Sequence, residues 1–555
     1  DLVFDDPLPA DLDLNPGSIV VVSGPTFDVN NSAPNTVSLG WTDLQLGEVV
    51  VLEYQATLTP GVQPSETLTN TATLTWDSIA GANPDQRTNN DSDGHSILVT
   101  QPGLDKLIFD TGEPSTGSGQ FGTPEDLTIG EQVTYRFTTV FAEGTSDAVV
   151  VTDQLPTGSS TLEVVSSQVI SVGGNLSGAS LPSVGDAGTT SDTNADTFDD
   201  RLEWSLGTIQ NVPDAVLDSD DLIAFEVIAQ VIDVPANQSG DTDQLNTATL
   251  TTATSTTSGN VAVDIVAPEV DLAKSIVTPS DGFVDAGDTV TVRLDIDHFG
   301  ASTADAFNLS ISDTLPAGLA WGGDGTVAGN CPGLVTDSSS QPVIAFDIAT
   351  LDLTTDNCFI TYEVTVDTTV MPGESLQNSA VMGYDSQPTF VSGETRRQMA
   401  ADTAEVTVLA PTLVKVDIDS SLNDTGMAEG DPTLRDLTIG ETVTYQLTLV
   451  FPEGVTGNAV LVDSLPDVME AIGGVVTATG GNLSTTLPGT AVLDDLQNGD
   501  GIDDTVTFDF GEVTNTPDGV EDANDRITLE VIGRIVDDPA NSGGDILVNN
   551  AQFTH

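Results

Sequence analysis

Apolar and polar residues alternate along most of this 555-residue chain. Segments such as "TVTVRLDID" (289–297) and "VTYQLTLVF" (443–451) place an apolar residue at almost every second position, which is typical of strands with one buried face. Clusters of Gly, Pro, Asn and Asp separate these segments and predict turns. No stretch shows the 3.6-residue apolar period of an amphipathic helix. The pattern therefore predicts an all-β protein.

The strand pattern is repeated along the chain. The segment "DLTIGEQVTYRFTTVFAEGTSDAVVVTDQLPTG" closely matches "DLTIGETVTYQLTLVFPEGVTGNAVLVDSLPDV" about 310 residues later, and residues 285–318 are a weaker copy. We predict a tandem array of immunoglobulin-like β-sandwich domains, since units of this size with short alternating strands favour that fold. The predicted repeats are 1–102 (opening strand missing), 103–268, 269–411 and 412–555 (closing strand missing). The second and fourth are the more alike, so the array alternates.

The charge of the chain excludes several classes of function. There are 86 Asp and Glu against 12 Lys and Arg, a formal net charge of −74. So negative a field repels phosphates and anionic lipids, so we expect neither nucleic-acid nor membrane-surface partners. The longest uncharged apolar run, "GSIVVVSG", is too short to span a bilayer. The chain begins without Met or a signal peptide, so we interpret it as a mature or excised stretch of a longer protein.

The two cysteines, Cys331 and Cys358, lie in one repeat. We predict that they form a disulfide, which would place the protein outside the cytoplasm. Two buried thiols are the alternative.

Three residue types recur in register and suggest a chemistry. Each repeat carries an Asp in D-x-L-P (Asp6, Asp153, Asp313, Asp463) and an Asn in N-x-A (Asn70, Asn246, Asn378, Asn549). The only three lysines stand on the opening strands of the last three repeats (Lys106, Lys274, Lys415). A buried, neutral amine can attack the side-chain amide of an Asn while a protonated carboxyl polarises its carbonyl, releasing ammonia and leaving an isopeptide bond. Arginine cannot act as that amine because its guanidinium stays charged.

The order of K, G-[ED]-x-V-T-[YV], D-x-L-P and N-x-A resembles the repeat known as domain of unknown function 11 and the fimbrial isopeptide-forming domains of bacterial pilins and surface adhesins. The resemblance covers essentially the whole chain. It implies acid-assisted bonds between the following residues: Lys106–Asn246, Lys274–Asn378 and Lys415–Asn549. The third repeat departs most, because its Lys-to-Asn separation is shorter and its cysteine pair resembles plain surface repeats, so whether it cross-links stays open.

Alternatives to this chemistry also stay open. The assisting acid is either the Asp of D-x-L-P, which we favour, or a Glu on a mid-domain strand (Glu53, Glu226, Glu363, Glu530), because period-two strands do not show which face points inward. Without cross-linking, the lysines would protect strand edges, and the Asp and Asn motifs would be turn residues.

Two acidic loops share N-x-D-x-x-D-D, and alternate oxygen ligands around a turn suit Ca²⁺. The better candidate consists of Asn498, Asp500, Asp503 and Asp504. The weaker copy, without its Gly, consists of Asn194, Asp196, Asp199 and Asp200. A solvated acidic loop is the alternative.

No nucleophile elbow, P-loop, zinc motif or aromatic-lined cleft marks a turnover enzyme, so we expect at most a single-turnover reaction of the chain upon itself. The leading hypothesis is a segment of a long extracellular, cell-surface stalk or filament whose domains are stapled by Lys–Asn bonds, with neighbouring copies as partners and no required cofactor. The alternatives are an adhesin with calcium-dependent loops that binds a host or matrix ligand, and a halophilic cell-envelope coat protein.

Overall fold

The computed structural model describes the chain except for residues 114–115, 117–123, 158–161, 341, 356–357, 393–394, 423–424 and 426–432. The described residues form 40 β-strands and three short 3-10 helices (Ser219–Asp221, Asp324–Thr326, Ala523–Asp525). None of these helices is long or apolar enough to cross a membrane. The chain divides into two compact units: one comprises 1–269, 301–305 and 386–396, and the other 270–300, 306–385 and 397–555.

The first repeat has one five-stranded sheet in the order β4-β5-β1-β8-β9 and two separate strand pairs, β2-β7 and β3-β6. Its strands are β1 (Leu2–Pro7), β2 (Leu12–Leu14), β3 (Val20–Ser23), β4 (Val29–Asn30), β5 (Thr36–Trp41), β6 (Val51–Glu53), β7 (Ala56–Leu58), β8 (Thr67–Asp77) and β9 (Thr88–Leu98).

The second repeat is a complete β-sandwich. Its sheets have the orders β10-β12-β18-β14 and β11-β20-β19-β13-β17-β15, with β16 also paired to β17. Its strands are β10 (Gly103–Thr111), β11 (Glu125–Thr128), β12 (Gln132–Val140), β13 (Gly144–Gln154), β14 (Leu162–Val172), β15 (Leu176–Ser177), β16 (Thr189–Ser191), β17 (Arg201–Asn211), β18 (Leu222–Val231), β19 (Asp241–Thr251) and β20 (Thr256–Val266).

The third repeat has the same plan, with sheets β21-β23-β29-β25 and β22-β31-β30-β24-β28-β27 and β26 paired to β29. Its strands are β21 (Val270–Thr278), β22 (Phe283–Val284), β23 (Thr289–His298), β24 (Ala306–Thr314), β25 (Leu319–Trp321), β26 (Ala328–Gly329), β27 (Val335–Ser340), β28 (Val343–Leu351), β29 (Cys358–Val366), β30 (Ser375–Asp385) and β31 (Arg397–Val408).

The fourth repeat has sheets β32-β33-β39-β35 and β36-β38-β34-β40, with β37 paired to β38. Its strands are β32 (Thr412–Ser420), β33 (Thr442–Val450), β34 (Gly454–Ser464), β35 (Met469–Thr479), β36 (Leu483–Ser484), β37 (Val492–Asp494), β38 (Thr505–Asn515), β39 (Arg526–Ile535) and β40 (Asn550–Thr554). Each repeat boundary proposed from the sequence falls between two strands, and the all-β immunoglobulin-like prediction is confirmed.

The alternating residues form the cores between the paired sheets. In the second repeat, Phe137 of β12 stacks on Phe225 of β18 with ring centroids 4.9 Å apart, and both rings contact Trp204 of the opposite sheet. The second, third and fourth repeats each have one continuous buried cluster, whereas the buried residues of the first fall into two small clusters. The first repeat is therefore the least consolidated sandwich.

Cys331 and Cys358 form the disulfide expected from the sequence, and no free cysteine remains. The bond joins the start of β29 to the segment that follows β26, 27 residues earlier. We expect reduction to destabilise the third repeat by about 3–4 kcal/mol, because a loop of this size regains its entropy in the unfolded chain. Calorimetry with and without a reductant should lower one melting transition by about 10 °C. Unchanged transitions would contradict the prediction.

Candidate functional site

Each lysine occupies an inward-facing position on the edge strand of the smaller sheet. In β21, for example, Val270, Leu272 and Lys274 are buried while the residues between them are exposed. The side chains of Lys106 and Lys274 are fully buried, and that of Lys415 is 15% exposed. These lysines are therefore directed into the core rather than held in solvent at the strand edge.

The Asp of D-x-L-P meets the lysine from the opposite sheet. Lys274 Nζ donates to Asp313 Oδ2 over 2.5 Å, and Lys106 pairs with Asp153 and Lys415 with Asp463 in the same way. The Leu two residues after each Asp is also buried and shares its inward face (Leu155, Leu315, Leu465). The motif thus describes the end of a central strand: two inward-facing residues, then a proline that cannot continue the ladder.

The N-x-A motif follows from the register between the Asp strand and its neighbour. Asp153 lies directly opposite Ala248, Asp313 opposite Ala380, and Asp463 opposite Ala551. The Asn stands two residues before that Ala and therefore shares its face of the sheet. Asn246 and Asn378 are fully buried, whereas Asn549 is partly exposed just before β40. The structure thus brings the Asp and the Asn together in the three complete sites.

A tyrosine completes each site, and the sequence analysis did not identify it. In the third repeat the hydroxyl of Tyr362 donates to Asp313 and accepts from Asn378 Nδ2 at 3.1 Å. In the second and fourth repeats the lysine Nζ lies over a tyrosine ring, 5.1 Å from the centroid of Tyr135 and 4.8 Å from that of Tyr445. Four of the five tyrosines of the chain, these three and Tyr54, belong to such sites.

The tyrosine comes from either of two strands, and a valine takes the other position. Tyr135 of β12 lies opposite Val227 of β18, and Tyr445 of β33 lies opposite Val531 of β39. In the third repeat the pair is reversed, because Val292 of β23 lies opposite Tyr362 of β29. Tyrosines from two sequence positions therefore enter the same part of the core. The Tyr362 hydroxyl contacts both Asp313 and Asn378, whereas the buried Tyr135 hydroxyl has no hydrogen-bond partner. This exchange explains why aligning the repeats does not reveal the tyrosine.

Burial sets the protonation of the site. It lowers the pKa of all three lysines against the opposing effect of the paired Asp, and it raises the pKa of Asp313 and Asp463 against that of the lysine. Both directions favour a neutral amine beside a neutral carboxyl. Burial, reinforced by the Asp, also raises the pKa of the tyrosines, to about 12 for Tyr445. The phenols therefore remain proton donors.

Two oxygens in every site are buried without a hydrogen-bond partner. One is a carboxyl oxygen of the Asp and the other is the side-chain carbonyl oxygen of the Asn, as follows: Asp6 and Asn70, Asp153 and Asn246, Asp313 and Asn378, Asp463 and Asn549. The Nδ2 atoms of Asn246 and Asn549 also lack a partner. Such buried groups are costly and rare. A proton on the carboxyl would supply the missing donor to the carbonyl.

The alternative acids lie elsewhere. Glu226 of β18 pairs with Arg136 on the face away from the core, Glu530 lies at the equivalent position of β39 opposite Gln446, and Glu53 is exposed. Glu363 is exposed and lies opposite Thr291, whereas the residue of β29 that corresponds to Glu226 is Thr361, two positions earlier. The alignment of Glu363 with Glu226 was therefore wrong. None of these carboxyls joins a lysine in the described contacts.

The two acidic loops direct their side chains to their own backbone. Asp495 accepts from the amides of Gly499 and Gly501, Asn498 from Asp500, and Asp500 from Ile502. In the weaker copy the Asp192 side chain accepts from the amides of Ala195 and Thr197. The Asn194 side chain accepts from the amide of Asp196, and the Asp196 side chain accepts from that of Phe198.

The last residue of each motif, Asp200 or Asp504, is buried. The residue before it, Asp199 or Asp503, comes directly after the turn of its loop. In the part of the chain that the structure describes, no three acidic, His or Cys side chains cluster as a metal site. Calcium binding by these loops stays a prediction.

The chain was compared with known proteins. No protein-family model matches it, and no curated protein matches it. Among solved structures it resembles BspA_C_mut (13% identity, TM-score 0.33, 56% of this chain and 99% of the other). It also resembles a 35 kDa C-terminal fragment of the major pilin GBS80 of Streptococcus agalactiae (10% identity, TM-score 0.21, 47% of this chain and 91% of the other). A third similar structure is BcpA, the major pilin subunit of Bacillus cereus (11% identity, TM-score 0.22, 65% of this chain and 95% of the other). Similarity at this level extends no property of those proteins to this chain.

Proposed function

We propose that this chain is a structural protein that cross-links itself, with one Lys–Asn isopeptide bond in each of the last three repeats. The bonds would join the following residues: Lys106 to Asn246, Lys274 to Asn378, and Lys415 to Asn549. The observation that carries the proposal is that every lysine of the chain is paired with an Asp of the opposite sheet, with the lysine side chain buried in two repeats and 15% exposed in the third case, Lys415. An Asn stands two residues before the residue opposite each Asp. A buried ion pair alone adds little stability compared with apolar packing, so stability does not explain this recurrence.

The reaction needs no external reagent. A proton passes from the lysine ammonium to the Asp, and the neutral Nζ attacks Cγ of the Asn. The protonated carboxyl donates to the Asn carbonyl oxygen, which otherwise has no partner, and stabilises the charge that develops there. The Cγ–Nδ2 bond then breaks as Nδ2 takes up the two protons that Nζ has lost, one of them through the Asp, and the nitrogen leaves as ammonium, so that the chain loses the mass of one ammonia. The Asp carboxylate is regenerated, and in the third repeat the Tyr362 hydroxyl orients the Asp and the Asn.

The bond positions suit a load-bearing protein. Each would join the first strand of a repeat to the strand beside its central Asp strand, across the two sheets. Tension applied through the ends of the second repeat would pass from Lys106 through the bond to Asn246, and then along the rest of β19 and β20. The strands between Lys106 and Asn246 would carry no load. Together with the disulfide, which is typical of oxidising compartments, this arrangement supports an extracellular stalk or filament at a cell surface, with neighbouring copies as partners.

The accurate mass of the intact chain tests the proposal. We expect a deficit of one ammonia for each of the three lysines. The variant Asn246→Ala should retain one ammonia more, and tandem mass spectrometry should find Lys106 unmodified. Asn260→Ala serves as a matched control, because Asn260 is an exposed residue on the strand next to β19, and it should show the full deficit. An intact chain with no deficit would refute the proposal.

A further inference from the structure

The first repeat contains the acceptor half of the site without an amine. Tyr54 donates to Asp6 Oδ2 at 2.5 Å, while Asn70 Nδ2 lies 3.1 Å from the same oxygen and 2.9 Å from the tyrosine hydroxyl. Asp6 is 3% exposed, and its Oδ1 has no partner, like Oδ1 of Asn70. In the other repeats the lysine Nζ contacts the equivalent Asp. All three lysines of the chain are already placed, so none remains for this site.

The strands that would carry the amine have no counterpart in the first repeat. The smaller sheet of the third repeat begins with β21 and β23, whereas the described residues of the first repeat offer only the pairs β2-β7 and β3-β6 on that side. Tyr54 is accordingly half-buried, while Tyr362 is fully buried. In the described residues, the side of the site that a pair of strands covers in the complete sandwiches is therefore covered less completely here.

The tyrosine indicates which kind of strand pair fits. Tyr54 precedes its Asn by 16 residues, as Tyr362 does, so the segment between β6 and β7 that carries Tyr54 corresponds to β29. In that arrangement the opposing residue of the incoming strand is a valine, as Val292 is in β23. A pair like β10 and β12 would bring a second tyrosine to the same place and overfill it.

We propose that the first repeat is an amine-acceptor site for a lysine-bearing strand pair from outside residues 1–555, of the type found at Val270–His298. This inference rests on the proposed function. Each lysine within residues 1–555 is already paired with an Asp, so a second copy of this segment is not the expected donor. The incoming ammonium would pass one proton to Asp6, and its neutral Nζ would attack Cγ of Asn70. The Cγ–Nδ2 bond would break as Nδ2 takes up both protons lost by Nζ and leaves as ammonium, which restores the Asp6 carboxylate.

The test uses the intact chain and a synthetic peptide with the sequence of residues 270–298, mixed at millimolar peptide in high salt, which screens the repulsion between two acidic molecules. The expected product has the summed mass of chain and peptide less one ammonia, with the new bond at Asn70. A peptide with Lys274→Arg should bind without forming the bond. A peptide with Val292→Tyr should react at least about tenfold more slowly, because the second tyrosine would overpack the site. The chain variant Asn70→Ala should give no adduct while its own deficit is unchanged.

Each other outcome overturns the inference in an identifiable way. No adduct with the wild-type peptide refutes the acceptor site, and an adduct at another residue refutes its location. Equal rates for the wild-type peptide and the Val292→Tyr peptide refute the strand type, and covalent dimers of the chain alone would make a second copy the donor. The same spectra report the chain's own ammonia deficit, so failure of the proposed function is seen separately: it removes the deficit, whereas failure of this inference removes only the adduct.

Discussion

Replacing Asp153 with Asn is expected to leave Lys106 and Asn246 unjoined in the second repeat. The substitution preserves shape but removes the group that takes the proton from the amine and returns it to the leaving nitrogen. Loss of a positioned acid–base group typically slows a reaction by about 10²–10⁴-fold. Burial alone keeps the amine partly neutral, since it lowers the pKa of Lys106, so a slow residual reaction is expected. The mass of the purified variant, followed over days, measures it.

The matched control is Glu226→Gln. Glu226 was the alternative acid, but it pairs with Arg136 outside the core. This variant should show the full ammonia deficit at once. A full deficit in Asp153→Asn would contradict the assignment of the Asp, and a loss in Glu226→Gln would restore the Glu as the acid. Reaction of the fourth repeat, which neither variant touches, reports in both samples that the rest of the chain is folded.

The second expected result concerns stability. Without its bond, the second repeat should lose about 5 kcal/mol, because the bond closes a loop of about 140 residues and restricts the unfolded chain. For a domain of this size that loss corresponds to a melting transition lower by about 10–20 °C. Differential scanning calorimetry of Asn246→Ala should show one shifted transition, and those of the third and fourth repeats should stay in place.

Asn260→Ala again provides the control, since it changes an exposed Asn of the same hairpin without touching the site. Its transitions should match those of the unaltered chain. A shift of less than about 2 °C in Asn246→Ala would mean that the bond does not restrain the unfolded chain as the entropy argument requires.

Much of this site could be predicted from the sequence, because strands alternate with a strict period. Lys274, Asp313 and Asn378 each stand at a recurrent position of a recognisable strand, and the structure places them at one point of the core. The direction of each face could not be predicted, since period two is the same for either face. That ambiguity kept Glu226 open as the acid until its pairing with Arg136 was seen.

The tyrosine could not be predicted from the sequence for a different reason. Sequence comparison aligns a position with the same position in another repeat, whereas Tyr135 and Tyr362 are equivalent only across a pair of adjacent strands. Only the register of β12 with β18, and of β23 with β29, shows that the two tyrosines are equivalent across adjacent strands. The acidic loops show a similar limit: the spacing of their side chains suits a cation, but Asp495 uses both oxygens on backbone amides.

The exchange of tyrosine and valine also constrains how such a gene can change. A crossover that joined the opening strands of the second repeat to the remainder of the third would bring Tyr135 and Tyr362 into one core, and the reciprocal product would hold Val292 and Val227 with no hydroxyl. Both hybrids would lose the site, although each parent strand is sound. Recombination within a repeat is therefore harmless to the site between the second and fourth repeats, which share one arrangement, whereas the third repeat can be gained or lost without damage only as a whole.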